Sequence, residues 1–205
     1  MRLIRHDTDT PTLSGPAANE RLTAWAGAVL LILFVAQSIT VLALRQLLVP
    51  HIVLGLLLTG PVGVKLASTG YRFARYHTGG RAYVLAGPPP DPLRLLAPFL
   101  VVATMFVLVT GLSLLFGSPA VREVLVFLHR TSFLVWLVIA GLHVLAHVWQ
   151  VPKMIAADVT PGSGPSARRG WLARLAAVAA GVLLGVVVAG LLVQRAQPWV
   201  QLLQR

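Results

Sequence analysis

Residues 129–147 read HRTSFLVWLVIAGLHVLAH, an apolar run long enough to cross a membrane that also contains three of the chain's six histidines. An imidazole brings polar nitrogens into surroundings that do not satisfy them, so His129, His143 and His147 each need a partner. The run therefore indicates a membrane helix, and it raises the question of what its histidines contact.

The rest of the chain is equally apolar. Of its 205 residues, 57% are hydrophobic and 11% are charged, and the apolar residues form uninterrupted blocks, as in integral membrane proteins. A helix that crosses about 30 Å of hydrocarbon needs about 20 residues. The sequence therefore predicts an all-α helical bundle in the lipid bilayer, with five transmembrane helices at 24–44, 50–71, 95–116, 123–149 and 172–193.

Composition excludes several classes of function. The chain has no cysteine, which rules out disulfides, thiolate metal sites and thiol catalysis. Its net charge of +11 is spread over the ends of the spans and is not interleaved with aromatic residues on one face, so nucleic acid is not an expected partner. The first 20 residues are polar, unlike a cleavable signal, and the first span is expected to remain as a signal anchor.

The distribution of Lys and Arg predicts the orientation. When alternate connections are assigned to opposite sides, one side has eleven basic residues and the other has four, namely Arg45, Arg122, Arg195 and Arg205. The positive-inside rule then puts the N-terminus in the cytoplasm and the C-terminus outside, in a multi-pass protein of the cell membrane. The predicted parts are a cytoplasmic tail at 1–22, a membrane domain at 23–194 and an extracytoplasmic tail at 195–205.

The spacing of the histidines predicts a shared site. His129 and His143 are 14 residues apart, which returns to within about 40° of the same helix face after about 21 Å of rise. Residues 51–73, HIVLGLLLTGPVGVKLASTGYRF, place His51 near the outer end of the second span, and Lys65 follows 14 residues later. The second and fourth spans run in the same direction, so we expect His51 and His129 to face one another at similar depth.

Two interpretations of that pair stay open on spacing alone. Two neutral imidazoles on facing helices can ligate a haem iron from both sides, and Gly55 would leave room beside the macrocycle. Alternatively, His51 is an interfacial residue, and His129 hydrogen bonds to a backbone carbonyl or to Ser or Thr on another helix.

The same residues resemble a known family. The resemblance has two parts. On the second span, a histidine is followed by glycine four places on, and on the fourth span, two histidines separated by thirteen residues are followed by another His four places further on. Both parts are similar to the haem-binding helices of four-helix di-haem b-type cytochromes. That family supplies the cytochrome b subunits of hydrogenases and formate dehydrogenases. The resemblance implies a cytochrome-b-like four-helix core, axial ligation of an outer haem b by His51 and His129, and cofactor contacts from Gly55 and His143.

Lys65 is where the sequence departs from the family, which has a histidine at this position. We expect its ammonium either to extend toward the headgroups, or to contact a haem propionate or lipid phosphate, or, as a neutral amine, to ligate iron. The expectation is therefore one haem per chain, without a second haem at Lys65 and His143. His143 and His147 are expected to be hydrogen bonded near the cytoplasmic surface.

Two classes of function follow. The first is an electron-transfer subunit, and not a self-contained catalyst, that connects the quinone pool to a redox partner protein. The alternative is a non-haem membrane protein, either a transporter component or a structural subunit, that uses Gln37, Lys65 and the histidines as polar groups. Gly181 and Gly185 in the fifth span permit close helix contact, either within the bundle or with a partner subunit.

Overall fold

The structure is a computed structural model that describes residues 15–87, 91–159 and 165–203. These residues are helical, with no strand among them. The five long helices are α1 (Pro16–Leu42), α2 (Leu48–His77), α4 (Asp91–Phe116), α5 (Arg122–His147) and α7 (Pro165–Leu192). All five predicted spans lie in helices that are long and apolar enough to cross a membrane, which confirms an all-α, multi-pass membrane fold.

Three short helices lie outside the five predicted spans. They are α3 (Arg81–Ala86), α6 (Val151–Val159) and α8 (Gln197–Leu203). Helix α2 also continues past its predicted end at residue 71, because nothing in 72–77 breaks a helix before Gly79, whose φ of 76° favours glycine. Residues 1–14 of the predicted N-terminal tail lie outside the described residues.

Two pairs of helices are joined by short connections, at 43–47 and 117–121. Helix α1 lies along α2, and α4 lies along α5, each as an antiparallel pair. Helix α7 packs against α2 and α1, and it makes no comparable contact with α5 in the described part of the chain. Helices α1, α2, α4 and α5 therefore form a four-helix group, with α7 on the outside of α1 and α2.

Glycines set the close approach of α7 to α2. A Cβ atom added to Gly60 would lie 1.9 Å from the carbonyl oxygen of Gly181, and one added to Gly185 would lie 2.1 Å from the carbonyl oxygen of Leu57. Only a residue without a side chain fits at such distances. The small residues of the fifth span therefore serve packing within the bundle.

An apolar layer crosses the middle of the bundle. Leu30 of α1 and Leu58 and Val62 of α2 are buried together, and Leu108 of α4 packs against them. Large apolar side chains elsewhere on the long helices are exposed, which matches contact with lipid. The layer keeps the polar groups at one end of the helices apart from those at the other.

A buried carboxylate fastens α6 to the bundle. Asp158 accepts hydrogen bonds from Nε of Arg174 at 3.0 Å, from Nη1 of Arg21 at 3.2 Å and from Nε1 of Trp25 at 3.1 Å. Its side chain is fully buried, and that of Arg174 is 8% exposed. No predicted span covers Asp158, and the cluster is a feature that the sequence did not reveal.

Candidate histidine site

His51 of α2 and His129 of α5 lie opposite one another. Their ring centroids are 6.4 Å apart, and the ring planes are inclined at 77°. The expectation that the second and fourth spans bring these two residues together is confirmed. The pair lies toward the end of the bundle where α2 and α5 both begin, because His51 is in the first turn of α2 and His129 is two turns into α5.

The ring of His51 is held mainly from α1. Its Nδ1 lies 2.8 Å from Oγ1 of Thr40, a buried residue near the end of that helix. The side-chain amide of Gln37, one turn earlier, donates to the carbonyl oxygen of His51 at 3.1 Å. The remaining amide oxygen, Oε1 of Gln37, is buried with no hydrogen-bond partner.

The ring of His129 is held in a parallel way from α4. Its Nδ1 lies 3.2 Å from Oγ1 of the buried Thr110. The neighbouring Gly111 makes room for the imidazole, since a Cβ atom there would lie 2.9 Å from Cε1 of His129. Ser132, one turn further along α5, donates to the carbonyl oxygen of His129 at 3.0 Å. Each histidine thus places Nδ1 against a threonine hydroxyl of the neighbouring helix.

Gly55 lies one turn beyond His51 on α2, as the sequence predicted. A Cβ atom at this position would be 3.5 Å from Nε2 of Gln37, which is an ordinary contact distance. The described structure therefore does not require glycine here for packing of the protein itself. The predicted role of Gly55 beside a cofactor stays a prediction.

An aromatic pair lies on the inner side of the two histidines. Phe34 of α1 and Trp136 of α5 have ring centroids 4.6 Å apart, and Nε1 of Trp136 donates to Oγ1 of Thr104 on α4 at 2.9 Å. Trp136 is seven residues past His129, which is about 10 Å of helix rise. Together with the apolar layer, this pair separates the histidine site from the polar groups at the opposite end of the helices.

Lys65 lies on the other side of that layer, and its ammonium group contacts α1. Its Nζ donates a hydrogen bond to the carbonyl oxygen of Thr23 at 2.8 Å, and it would be 3.1 Å from a Cβ atom added to Gly27. Both contacts are with α1. The expected extension of the ammonium toward the headgroups is not observed, because the carbonyl oxygen of Thr23 accepts a hydrogen bond from Nζ.

His143 and His147 are neighbours at the C-terminal end of α5. Their rings stack with centroids 4.4 Å apart, and Nδ1 of His147 donates to the carbonyl oxygen of His143 at 3.0 Å. The hydrogen bond predicted for His147 is confirmed. Nδ1 of His143 is buried with no hydrogen-bond partner among the described residues, so the hydrogen bond predicted for His143 is not seen at this nitrogen.

The other histidines are not part of the site. His77 is exposed at the end of α2, and its Nδ1 lies 2.9 Å from the carbonyl oxygen of Phe73. His6 lies outside the described residues. Within 15–87, 91–159 and 165–203, no three His, Cys, Asp or Glu side chains come together in a way that could hold a metal ion. His51 and His129 are therefore a pair of imidazoles with no third His, Cys, Asp or Glu beside them among these residues.

Comparison of the chain with models of protein families, with curated proteins and with solved structures gave no match.

Proposed function

We propose that this protein is a membrane b-type cytochrome that transfers single electrons through one haem held between His51 and His129. The observation that carries the proposal is the 6.4 Å separation of the two ring centroids. Two imidazoles that bind one iron from opposite sides, through nitrogen–metal bonds of about 2 Å, have ring centres roughly 6 Å apart. The observed spacing matches that of such a ligand pair.

A haem fits this site better than a bare metal ion. Structural and catalytic ions held by protein alone take three or more side-chain ligands, and the described residues offer only two here. A porphyrin supplies the four remaining ligands of an iron itself. Among the described residues, α2 and α5 carry the two rings without packing closely along one another, which is compatible with a flat apolar macrocycle between them.

The haem supplies a one-electron iron couple that no side chain of this chain provides. The protein supplies two neutral imidazoles and an apolar enclosure on the inner side, where Phe34 and Trp136 exclude water. The resemblance of residues 51–55 and 129–147 to the di-haem b-type cytochromes supports the same assignment.

The proposed orientation puts the histidine pair in the outer half of the membrane. It rests on the split of eleven basic residues against four between the two sides. In this orientation the haem exchanges electrons with a redox partner protein or with quinone from the outer side. A transporter component fits less well, because Lys65 is satisfied by a backbone carbonyl and has no carboxylate partner among the residues that the structure describes.

The absorption spectrum of the purified protein, oxidised and then reduced, tests the proposal. We expect a low-spin b-type spectrum that His51→Ala and His129→Ala each abolish. His77→Ala and His147→Ala are matched controls and should keep the spectrum, since neither residue contacts the pair. Helical circular dichroism and a single peak in size-exclusion chromatography would confirm that the variants are folded.

Full haem content and an unchanged spectrum in both His51→Ala and His129→Ala would overturn the assignment. A colourless wild-type protein, purified from cells supplied with haem, would overturn the function itself. Reduction of the haem protein by a soluble quinol tests the link to the quinone pool, and failure to reduce it would leave a protein partner as the donor.

A further inference from the structure

We propose that Thr40 and Thr110 are positioning residues, whose hydroxyl groups hold His51 and His129 in the tautomer protonated at Nδ1 so that Nε2 of each ring is free to bind iron. The inference rests on the proposed function and adds to it how the two ligands are prepared. Each threonine hydroxyl group has one proton to donate. If that proton is bonded to a backbone carbonyl, the hydroxyl oxygen can only accept from the histidine ring.

Thr40 has one hydroxyl proton, and it is already used. Its Oγ1 lies 2.5 Å from the carbonyl oxygen of Gln37. Because a carbonyl oxygen can only accept, the hydroxyl group of Thr40 donates its proton in this contact. The same Oγ1 lies 2.8 Å from Nδ1 of His51, so in that contact the hydroxyl oxygen accepts. Nδ1 of His51 must therefore carry the proton, and Nε2 keeps its lone pair.

The same count applies to Thr110. Its hydroxyl is 2.8 Å from the carbonyl oxygen of Phe106 and 3.1 Å from that of Val107, and it donates its single proton to this pair of acceptors. Nδ1 of His129, 3.2 Å from Oγ1, is then the donor in their contact. The hydroxyl of Ser132 does not alter the count, because its own proton goes to the carbonyl oxygen of His129.

The side-chain amide of Gln37 does not select the other tautomer of His51. Its Nε2 lies 3.1 Å from Nδ1 and 3.4 Å from Nε2 of the ring. An atom almost equally distant from both nitrogens is not in line with the in-plane lone pair of either, so it contacts the ring without a directed hydrogen bond. One of its protons is bonded to the carbonyl oxygen of His51.

The choice of a hydroxyl group has a chemical consequence. A hydrogen bond from Nδ1 fixes the orientation of a ligating imidazole and raises the basicity of Nε2. A neutral acceptor does so without pulling the proton away, as a carboxylate would. Loss of either hydroxyl should therefore loosen the ligand and shift the midpoint potential of the haem to a more positive value, because a less basic ligand stabilises oxidised iron less.

The tautomers are read directly from the full-length protein prepared without haem and labelled with ¹⁵N-histidine. Spectra of His51→Gln and His129→Gln assign the two rings. We expect both wild-type rings to be protonated at Nδ1, with Thr40→Val releasing only His51 and Thr110→Val releasing only His129 into a mixture of tautomers. Thr40→Ser and Thr110→Ser keep the hydroxyl group and should restore the wild-type pattern.

Thr59→Val is the matched control for the loss of a threonine hydroxyl group. Thr59 lies on α2 and donates to the carbonyl oxygen of Leu56 at 2.6 Å, with no contact to either histidine. It should leave both tautomers, the haem affinity and the potential unchanged. In the haem-loaded protein, each of the two test valine variants should bind haem about 10–100-fold more weakly and show the positive shift in potential.

Unchanged tautomers in Thr40→Val and Thr110→Val would overturn the inference, whether or not the protein binds haem. Normal tautomers with no haem in the wild type would refute the proposed function, while the hydroxyl groups would still be shown to set the rings. If haem binds and the potentials of the valine variants equal that of Thr59→Val, the role in preparing the ligands is refuted and the cytochrome assignment stands.

Discussion

Nζ of Lys65 donates a hydrogen bond to the carbonyl oxygen of Thr23, 2.8 Å away on the neighbouring helix α1. The contact places the lysine nitrogen against α1, beside Gly27, and leaves Nδ1 of His143 on α5 buried without a partner. A second haem at this depth would need a ligand from each of α2 and α5. On α2 this position is Lys65, and its Nζ is already hydrogen bonded to Thr23.

We therefore predict one haem per chain. A pyridine haemochrome assay against protein concentration should give a ratio near one. Lys65→Ala should leave that ratio unchanged, because the lysine is not expected to bind iron. A ratio near two that falls to one in Lys65→Ala would mean that the lysine ligates a second haem.

The contact between α2 and α7 gives a prediction about stability. Gly60→Ala should destabilise the protein by about 1–3 kcal/mol, since the added methyl group would collide with the backbone of Gly181 and the helices would have to move apart. Gly63→Ala is the control on the same helix, because nothing lies within 4 Å of a Cβ atom at that position.

Thermal unfolding in detergent, followed by helical circular dichroism, makes the measurement. The Gly60 variant should melt at a lower temperature than the wild type, and the Gly63 variant should not. Equal melting temperatures for the two variants would show that the close contact between α2 and α7 does not exist in the folded protein.

Periodicity and span direction were enough to predict the histidine pair. Fourteen residues bring a helix back to nearly the same face, and alternate spans run in the same direction, so His51 and His129 could be placed opposite one another without knowledge of the packing. The helical class and the five spans were predictable for a related reason. Hydrocarbon requires long apolar helices, and their length is visible in the sequence.

The groups that hold the pair could not be predicted in the same way. Thr40 and Thr110 are two among several threonines in apolar helices, and only the rotation of α1 and α4 about their axes decides which of them meets an imidazole. Gly111 gives no signal of its own for the same reason. A pairing between neighbouring helices depends on this rotation, which the sequence of one helix does not encode.

Lys65 and Asp158 show a second limit. A lysine near the end of a span is expected to extend toward water. A backbone carbonyl on another helix satisfies its ammonium group equally well. Because every residue has a backbone carbonyl, the sequence does not indicate which one will accept this hydrogen bond. Asp158 lies between the fourth and fifth predicted spans, where no pattern indicates burial. Its burial depends on Arg21 and Arg174, which the fold brings to it from α1 and α7.

The orientation gives a prediction that fusion proteins can test. Eleven basic residues on one side against four on the other place the N-terminus in the cytoplasm and the C-terminus outside. A reporter that is active only in the cytoplasm should work when fused before residue 1 or inserted near residue 162, and it should fail after residue 205. A reporter that is active only outside should give the opposite pattern, and the reverse of both patterns would invert the proposed side of the haem.

The Asp158 cluster gives the last prediction, which concerns how α6 is held. The carboxylate bonds to Arg21, Arg174 and Trp25 inside the protein, so Asp158→Asn leaves the guanidinium group of Arg174 buried without its countercharge. Breaking one partner of a buried ion pair costs about 3–5 kcal/mol, and we expect a loss of stability of that size.

The double variant Asp158→Asn with Arg174→Gln should be less destabilised than the sum of the two single variants, because no uncompensated charge then stays buried. Glu20→Gln is the matched control. Glu20 pairs with Arg72 at 2.5 Å, but its side chain is 42% exposed, so its loss should cost no more than about 1 kcal/mol. Unfolding in detergent measures all four variants. If Asp158→Asn behaves like Glu20→Gln, then water reaches Asp158, and the cluster does not fasten α6 to the bundle.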